Sequence, residues 1–190
     1  MRRDVHDPRQ PLSAAVLDQL PLRPAMCIAE IGCGSGDLTL PLAARLPRGQ
    51  VHAIDSAPTM LAVVRERARA AGHTNIATHL AAPGEVPLPL VGLDGALLTL
   101  MLHALPAAVR AGYLARLRAL MRPGGWLALL EWERRRTPGA GPPLAARVTP
   151  REACRVLAAG GWQAVVLTAP HEGRYLVIAR QCRRVDAAPP

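Results

Sequence analysis

The sequence of 190 residues has no lysine and no phenylalanine, and aromatic residues make up only 3% of it. All 23 basic residues are therefore arginine, and 14 acidic residues leave a formal net charge of +9. Ala, Arg, Gly and Pro are abundant, which points to compositional bias in the coding sequence rather than selection for a basic surface. The charge admits a nucleic-acid partner, yet three Trp and two Tyr lie scattered, so the stacking platform of a single-strand binder is missing. The densest basic runs are Arg134-Arg135-Arg136, Arg183-Arg184 and the alternating Arg65, Arg67 and Arg69. Alternation along a helix reads as a solvated face. Apolar runs such as Gly95 to Leu102 fall far short of a membrane span. The start, MRRDVHDPRQPL, is positively charged with no apolar segment behind it, so no secretory signal is expected. Four cysteines, Cys27, Cys33, Cys154 and Cys182, show no paired spacing and read as reduced thiols in the cytoplasm. Nor do the six His fall at ligand spacing, so no metal is expected.

Half the residues are apolar and 19% are charged, the balance of a globular chain. Residues 1–182 read as one domain, with 183–190 as a disordered tail. An amphipathic segment, Leu12 to Leu20, is stopped by Pro21 and Pro24. Met26 to Ile31 reads as a short buried strand running into the cluster GCGSG. Asp37 is placed to cap or to charge the first turn of a helix from Leu38 to Leu46. Val51 to Ile54 is a second strand, followed by Asp55, and Ser56 stands as an N-cap ahead of Pro58 in a helix to Ala71. Ile76 to Leu80 is a third strand, then Pro83, Gly84, Pro87 and Pro89 make a loop before a fourth strand, Gly95 to Leu100. A helix from Ala107 to Met121 is ended by Arg122-Pro123-Gly124-Gly125, and Trp126 to Leu130 is the fifth strand. The Pro/Gly-rich stretch Thr137 to Pro143 is too short to separate domains. Thr149 and Glu152 form a capping box on a last helix stopped by Gly160-Gly161. Trp162 to Thr168 and Arg174 to Ala179 then read as an antiparallel hairpin. Strands alternating with helices predict an α/β doubly wound sheet, mainly parallel, with seven strands and one reversed near an edge.

Ligands of such sheets bind at the carboxyl ends of the central strands. The pattern there is Glu30-x-Gly32-x-Gly34-x-Gly36. A dinucleotide loop of the form G-x-G-x-x-G is excluded, because Asp37 or Thr39 stands where its last glycine belongs. Glu30 would repel a pyrophosphate but attract an ammonium or a sulfonium. Glycines let a ligand approach the backbone closely, and the N–H groups at the following helix start can hold a carboxylate. Asp55, at the end of the second strand, can accept both hydroxyls of a ribose. A ribose joined to a zwitterionic, sulfonium-bearing tail describes S-adenosylmethionine.

With these residues in place, the sequence resembles the class I S-adenosylmethionine-dependent methyltransferases, in particular the group related to ubiquinone/menaquinone C-methyltransferases. The resemblance runs from Leu17 to Ala179 and is carried by AEIGCGSGDLTLPLA, VHAIDSAPTML, EVPLPL, LDGALLTLMLHALP and LRALMRPGGWLALLEW. It implies a Rossmann-like sheet of strand order 3-2-1-4-5-7-6 with strand seven antiparallel. It also implies cofactor contacts from Glu30, Gly32, Cys33, Gly34, Ser35 and Gly36 around the methionine part. Asp55 would take the ribose beside Ser56, and Thr99 matches a polar position after strand four. The family's acidic or amide residue that reaches the adenine amine falls on Ala82, followed by Pro83. This leaves a backbone contact or a weaker hold on adenine as the alternatives. His103 matches the first His of the family's LHH segment, and Ala104 replaces the second.

Methyl transfer from a sulfonium is an in-line displacement on an activated electrophile, so positioning supplies most of the catalysis. A base is needed only where the acceptor must lose a proton, and His103 is the candidate for it. Glu131 and Glu133 read either as groups orienting an acceptor or as surface charge. Trp132 reads as a stacking surface or as core. Tyr113 reads as structural, His171 and Glu172 as a solvated turn, and His6 and Asp7 as a lid or a disordered end. The four cysteines do not converge, which excludes arsenite as acceptor. The expectation is a cytoplasmic enzyme acting on a small molecule, in which a second subunit of a homodimer can complete the pocket. RNA or protein methylation and non-catalytic cofactor binding are the alternatives.

Overall fold

The computed structural model describes residues 11–86, 90–135, 141–171 and 173–181. His6, Asp7, Pro87, Pro89, Arg136, Glu172, Cys182, Arg183, Arg184 and the expected tail lie outside the described residues, as does most of Thr137 to Pro143. In chain order the elements are α1 (Leu12–Leu17), β1 (Cys27–Ile31), α2 (Thr39–Arg45), β2 (Gln50–Asp55), α3 (Pro58–Ala70), β3 (Ile76–Leu80) and β4 (Leu93–Thr99). There follow α4 (Ala107–Ala119), β5 (Met121–Trp132), α5 (Pro150–Ala159), β6 (Trp162–Thr168) and β7 (Arg174–Gln181). One sheet holds seven strands in the order β3-β2-β1-β4-β5-β7-β6. β1 to β5 are parallel, and β7 runs antiparallel to both β5 and β6. Order and strand direction are those the resemblance implied.

The two-residue period of the strands divides the core between the two faces. On β5, Trp126, Ala128 and Leu130 pack with α1 and α2, while Leu127 and Leu129 pack with α4 and α5. Likewise on β7, Leu176 and Ile178 take the first face and Tyr175, Val177 and Ala179 the second. Gly95 in the middle of β4 is required by its neighbour, since a Cβ there would lie 2.3 Å from the Trp126 ring. Two buried polar tips are satisfied by the backbone. Trp162 Nε1 donates to the Leu114 carbonyl at 2.9 Å, and the Tyr175 hydroxyl donates to that of Val148 at 2.9 Å. No helix among the described residues is long and apolar enough to cross a membrane.

Several local expectations need correction. α1 stops at Leu17 rather than Leu20, with Asp18 as its C-cap, and Asp18 pairs with the Arg45 guanidinium. Asp37 does not cap α2, because it instead receives Arg67 Nη1 at 2.8 Å. A charge-assisted bond to a guanidinium from α3 displaces the weaker local cap. Ser56 does not cap α3 either. The N-cap residue is Ala57, and Asp55 Oδ1 accepts the Ala57 N–H at 2.9 Å. Arg122-Pro123-Gly124-Gly125, read as ending the helix, belongs to β5, as does Met121, and α4 stops at Ala119. Met121 pairs with Leu93 and Trp126 with Gly95, so these four residues form an outward bulge, with Gly124 at φ +81°. The capping box of α5 forms as expected, with Glu152 N donating to Thr149 Oγ1 at 3.2 Å.

Candidate functional site

The carboxyl ends of β1, β2 and β4 open into a cleft of about 820 Å³, within the roughly 300–1,000 Å³ of small-molecule sites. Its floor is the turn that follows β1. Gly32 (φ +80°) packs so tightly that a Cβ would stand 2.7 Å from the Thr99 carbonyl oxygen, whereas a Cβ on Gly34 (φ +51°) would meet open space. One glycine therefore lets the turn pack on β4, and the other lets a ligand approach the backbone.

Asp55 fixes this turn. Its Oδ2 accepts the Gly34 N–H at 2.8 Å and its Oδ1 the Ala57 N–H at 2.9 Å. A carboxylate oxygen has about two acceptor sites, so each retains one for a ligand hydroxyl. Arg67 holds the turn from outside, donating to the Ser35 carbonyl at 2.6 Å and to Asp37 at 2.8 Å. Of the alternating arginines read as a solvated face, this one braces the cleft.

Glu30 is fully buried, with Thr39 Oγ1 donating to it at 2.5 Å and Thr99 Oγ1 at 3.2 Å. Burial is the main cause that pushes its carboxyl up to about 7, against the two hydroxyl donors and with help from Asp37 and Asp55. The Cys33 thiol is pushed up to about 12 by burial and by the Glu30 and Asp55 carboxylates, so it is an inert wall and not a nucleophile. Leu100, directly after β4, has φ +52°, the only positive value among the described non-glycine residues. It turns the chain so that Leu100, Met101 and Ala104 form the cleft wall.

Ten of the residues expected at the site line the cleft: Glu30, Gly32, Cys33, Gly34, Ser35, Asp55, Ser56, Ala82, Pro83 and Thr99. Gly36 and His103 do not. Gly36 lies behind the turn, where a Cβ would press within 2.8 Å of Leu40. His103 sits in the short 3-10 turn Leu102–Ala104, its Nδ1 3.1 and 3.0 Å from the two oxygens of Glu131. Glu131 has no exposed surface and also accepts the backbone N–H groups of His103 and Trp132, each at 3.1 Å. It is thus neither surface charge nor in direct reach of an acceptor. Glu133 pairs with Arg135 at 2.8 Å. Trp132 is buried with the Arg147 and Arg174 guanidiniums against its ring, which leaves no open stacking face for a ligand.

Sequence reasoning missed Pro11 to Ser13 at the edge of the cleft, Arg67, Glu85, Met101 and Tyr113. Glu85 carried a signal, standing three residues after Ala82, whose N–H its Oε2 accepts at 3.2 Å. Among the described residues no group of three or more His, Cys, Asp or Glu could hold a metal ion.

The family described as Methyltransferase domain matches residues 28–125, which span β1 through the start of β5 and so the whole glycine turn and Asp55. The release factor glutamine methyltransferase of Moorella thermoacetica is 35% identical, over 60% of this chain and 49% of that protein. The trans-aconitate 2-methyltransferase of Paracidovorax citrulli is 33% identical, over 72% of this chain and 50% of that protein. The chain spans about half the length of these curated relatives. A crystal structure of a SAM-dependent methyltransferase from Aquifex aeolicus superposes with a TM-score of 0.80 at 22% identity, covering 89% of both chains, and so shares the fold. The glycine turn, the carboxylate at the end of β2, the strand order and the matched family agree: this chain belongs to the methyltransferase-domain family, whose cofactor is S-adenosylmethionine.

Proposed function

We propose that this chain binds S-adenosylmethionine in the cleft and transfers its methyl group to a small-molecule acceptor. The observation that carries the reading is the placing of two carboxylates, Asp55 and Glu30, on either side of the glycine turn. They suit a ligand with a diol at one end and positive charge at the other. The residues present fit that cofactor. Asp55 keeps one acceptor site on each oxygen, and Gly34 leaves room at the backbone. Glu30 is a buried carboxyl that receives two hydroxyl donors, Thr39 and Thr99, and so can still take a cationic ligand. When bound, the cofactor supplies an electrophilic methyl on a sulfonium.

The role of the chain itself is to bind, orient and, where needed, take a proton. Asp55 orients the ribose, and the turn from Gly32 to Ser35 holds the amino-acid tail. Leu100, Met101 and Ala104 border the side from which an acceptor enters. Glu131 receives only N–H donors, so it accepts from His103 Nδ1, and that choice leaves Nε2 as the proton acceptor. His103 thereby serves acceptors that must lose a proton, from the turn whose next residue, Ala104, lines the cleft. A small-molecule acceptor is supported by the size of the cleft and by the relative named for trans-aconitate.

Labelled methyl transfer tests the reading, with a metabolite extract, total RNA and a protein fraction offered separately. Label is expected in the metabolite fraction. His103→Ala should lower that rate about a hundredfold, within the usual range for loss of a general base, while the cofactor Kd stays within about threefold, since His103 does not line the cleft. Label confined to RNA or protein would contradict the small-molecule reading. An unchanged rate in His103→Ala would remove the base.

A further inference from the structure

Among the described residues three buried side-chain polar atoms lack a hydrogen-bond partner: the Tyr113 hydroxyl, Trp126 Nε1 and Arg174 Nε. Trp126 is fixed by packing over Gly95, and the Arg174 guanidinium lies against the Trp132 ring, 3.0 Å from its centroid. Tyr113 alone of the three lines the cleft. A solvent-excluded hydroxyl with no partner is a cost that a phenylalanine at the same place would avoid.

Its neighbours say which end of the cleft it serves. Arg116, nearly one turn further along α4, sets its guanidinium 5.9 Å from the Tyr113 ring centroid and donates from Nη2 to the Gly84 carbonyl at 2.9 Å. Tyr113 is thus tied to the turn after β3, which starts where Ala81 N–H donates to the Asp55 carbonyl at 3.1 Å. A base carried by a ribose on Asp55 would reach toward this turn, since the chain leaving β3 is bonded to Asp55. Ala82 has no polar side chain to offer, and its N–H is already engaged by Glu85.

We propose that the Tyr113 hydroxyl reads the polar edge of the cofactor's adenine, in place of the side chain that Ala82 lacks. The inference rests on the cofactor assignment above. A phenol both donates and accepts. Burial pushes Tyr113 up to about 12, so it stays protonated and can accept from the exocyclic amine or donate to a ring nitrogen.

The test is calorimetry with S-adenosylhomocysteine and with its inosine analogue, in which a carbonyl replaces the amine. The protein should prefer the adenosyl compound about tenfold. Tyr113→Phe should weaken binding of the adenosyl compound about tenfold and shrink the preference to under threefold. The ligand-free variant should melt no lower than the parent, because it loses no hydrogen bond; a purely structural tyrosine would not move the base preference. Unchanged affinity and preference in a folded Tyr113→Phe overturns the inference. Should Tyr113→Phe not fold, equal affinity of the unmodified protein for both compounds overturns it, and a clear preference supports it. If the unmodified protein binds neither S-adenosylmethionine nor S-adenosylhomocysteine, the cofactor assignment itself falls, a result distinct from the others.

Discussion

Asp55→Ala will raise the Kd for S-adenosylmethionine by roughly thirty- to a thousandfold, the equivalent of about 2–4 kcal/mol for two charge-assisted hydrogen bonds. Some of the effect is indirect. The Asp55 carboxylate also receives the Gly34 and Ala57 N–H groups, so its removal frees the middle of the glycine turn and the first turn of α3. Asp55→Asn retains one acceptor oxygen and should fall between the parent and the alanine variant. Both N–H groups sit at a half-buried surface where water can replace the carboxylate, so the ligand-free protein should lose only about 1 kcal/mol of stability. An increase in Kd below threefold in a folded Asp55→Ala would show that Asp55 does not hold the ribose.

The second large effect is a pH dependence set by Glu30. In the fold its carboxyl is held at about 7, mainly by burial, against 4.5 for an ordinary glutamate. A carboxyl raised in this way favours the folded state while it is protonated. The ligand-free protein should therefore lose stability as pH rises from about 4.5 to 7, by roughly 3 kcal/mol from this group, and no more above that. Cofactor binding should run the other way, because a cationic ligand favours the ionised carboxylate. The affinity for S-adenosylmethionine should rise severalfold with pH below about 7 and flatten above it. Glu30→Gln cannot ionise and should abolish both slopes, while at pH 7.5 it binds at least tenfold more weakly for want of the negative charge. Melting curves and calorimetry from pH 5 to 7.5 read both effects. Slopes that persist in Glu30→Gln would assign them to another group.

How far the sequence foretold this site follows from the range of each interaction. Pro and Gly at the element ends, period-two apolar strands and the Thr149–Glu152 box act locally, and the strand order followed from the resemblance. Glu30, Gly32, Gly34 and Asp55 were legible because strand ends followed by glycine or an acid carry their chemistry at fixed short spacing. Arg67 was not. Its spacing with Arg65 and Arg69 is that of a solvated helix face, and only the lie of α3 beside the glycine turn brings it to Ser35. The pairing of His103 with Glu131 crosses from the end of β4 to the end of β5, so neither neighbourhood reveals it. Tyr113 reads as structural because it lies within a helix and is buried, and neither its place on the cleft nor its unpartnered hydroxyl follows from local spacing. The bulge at the start of β5 escaped notice because Pro and Gly usually end an element, and here they swing out of the β4–β5 ladder and return within one strand.

The most direct measurement is titration calorimetry of the ligand-free protein with S-adenosylmethionine, S-adenosylhomocysteine and NAD. The first two should bind at one site with Kd values in the micromolar range, roughly −8 kcal/mol, and NAD should give no heat at millimolar concentration, because Glu30 and the glycine spacing oppose a pyrophosphate. Binding of NAD with no response to S-adenosylmethionine would contradict the account at its centre.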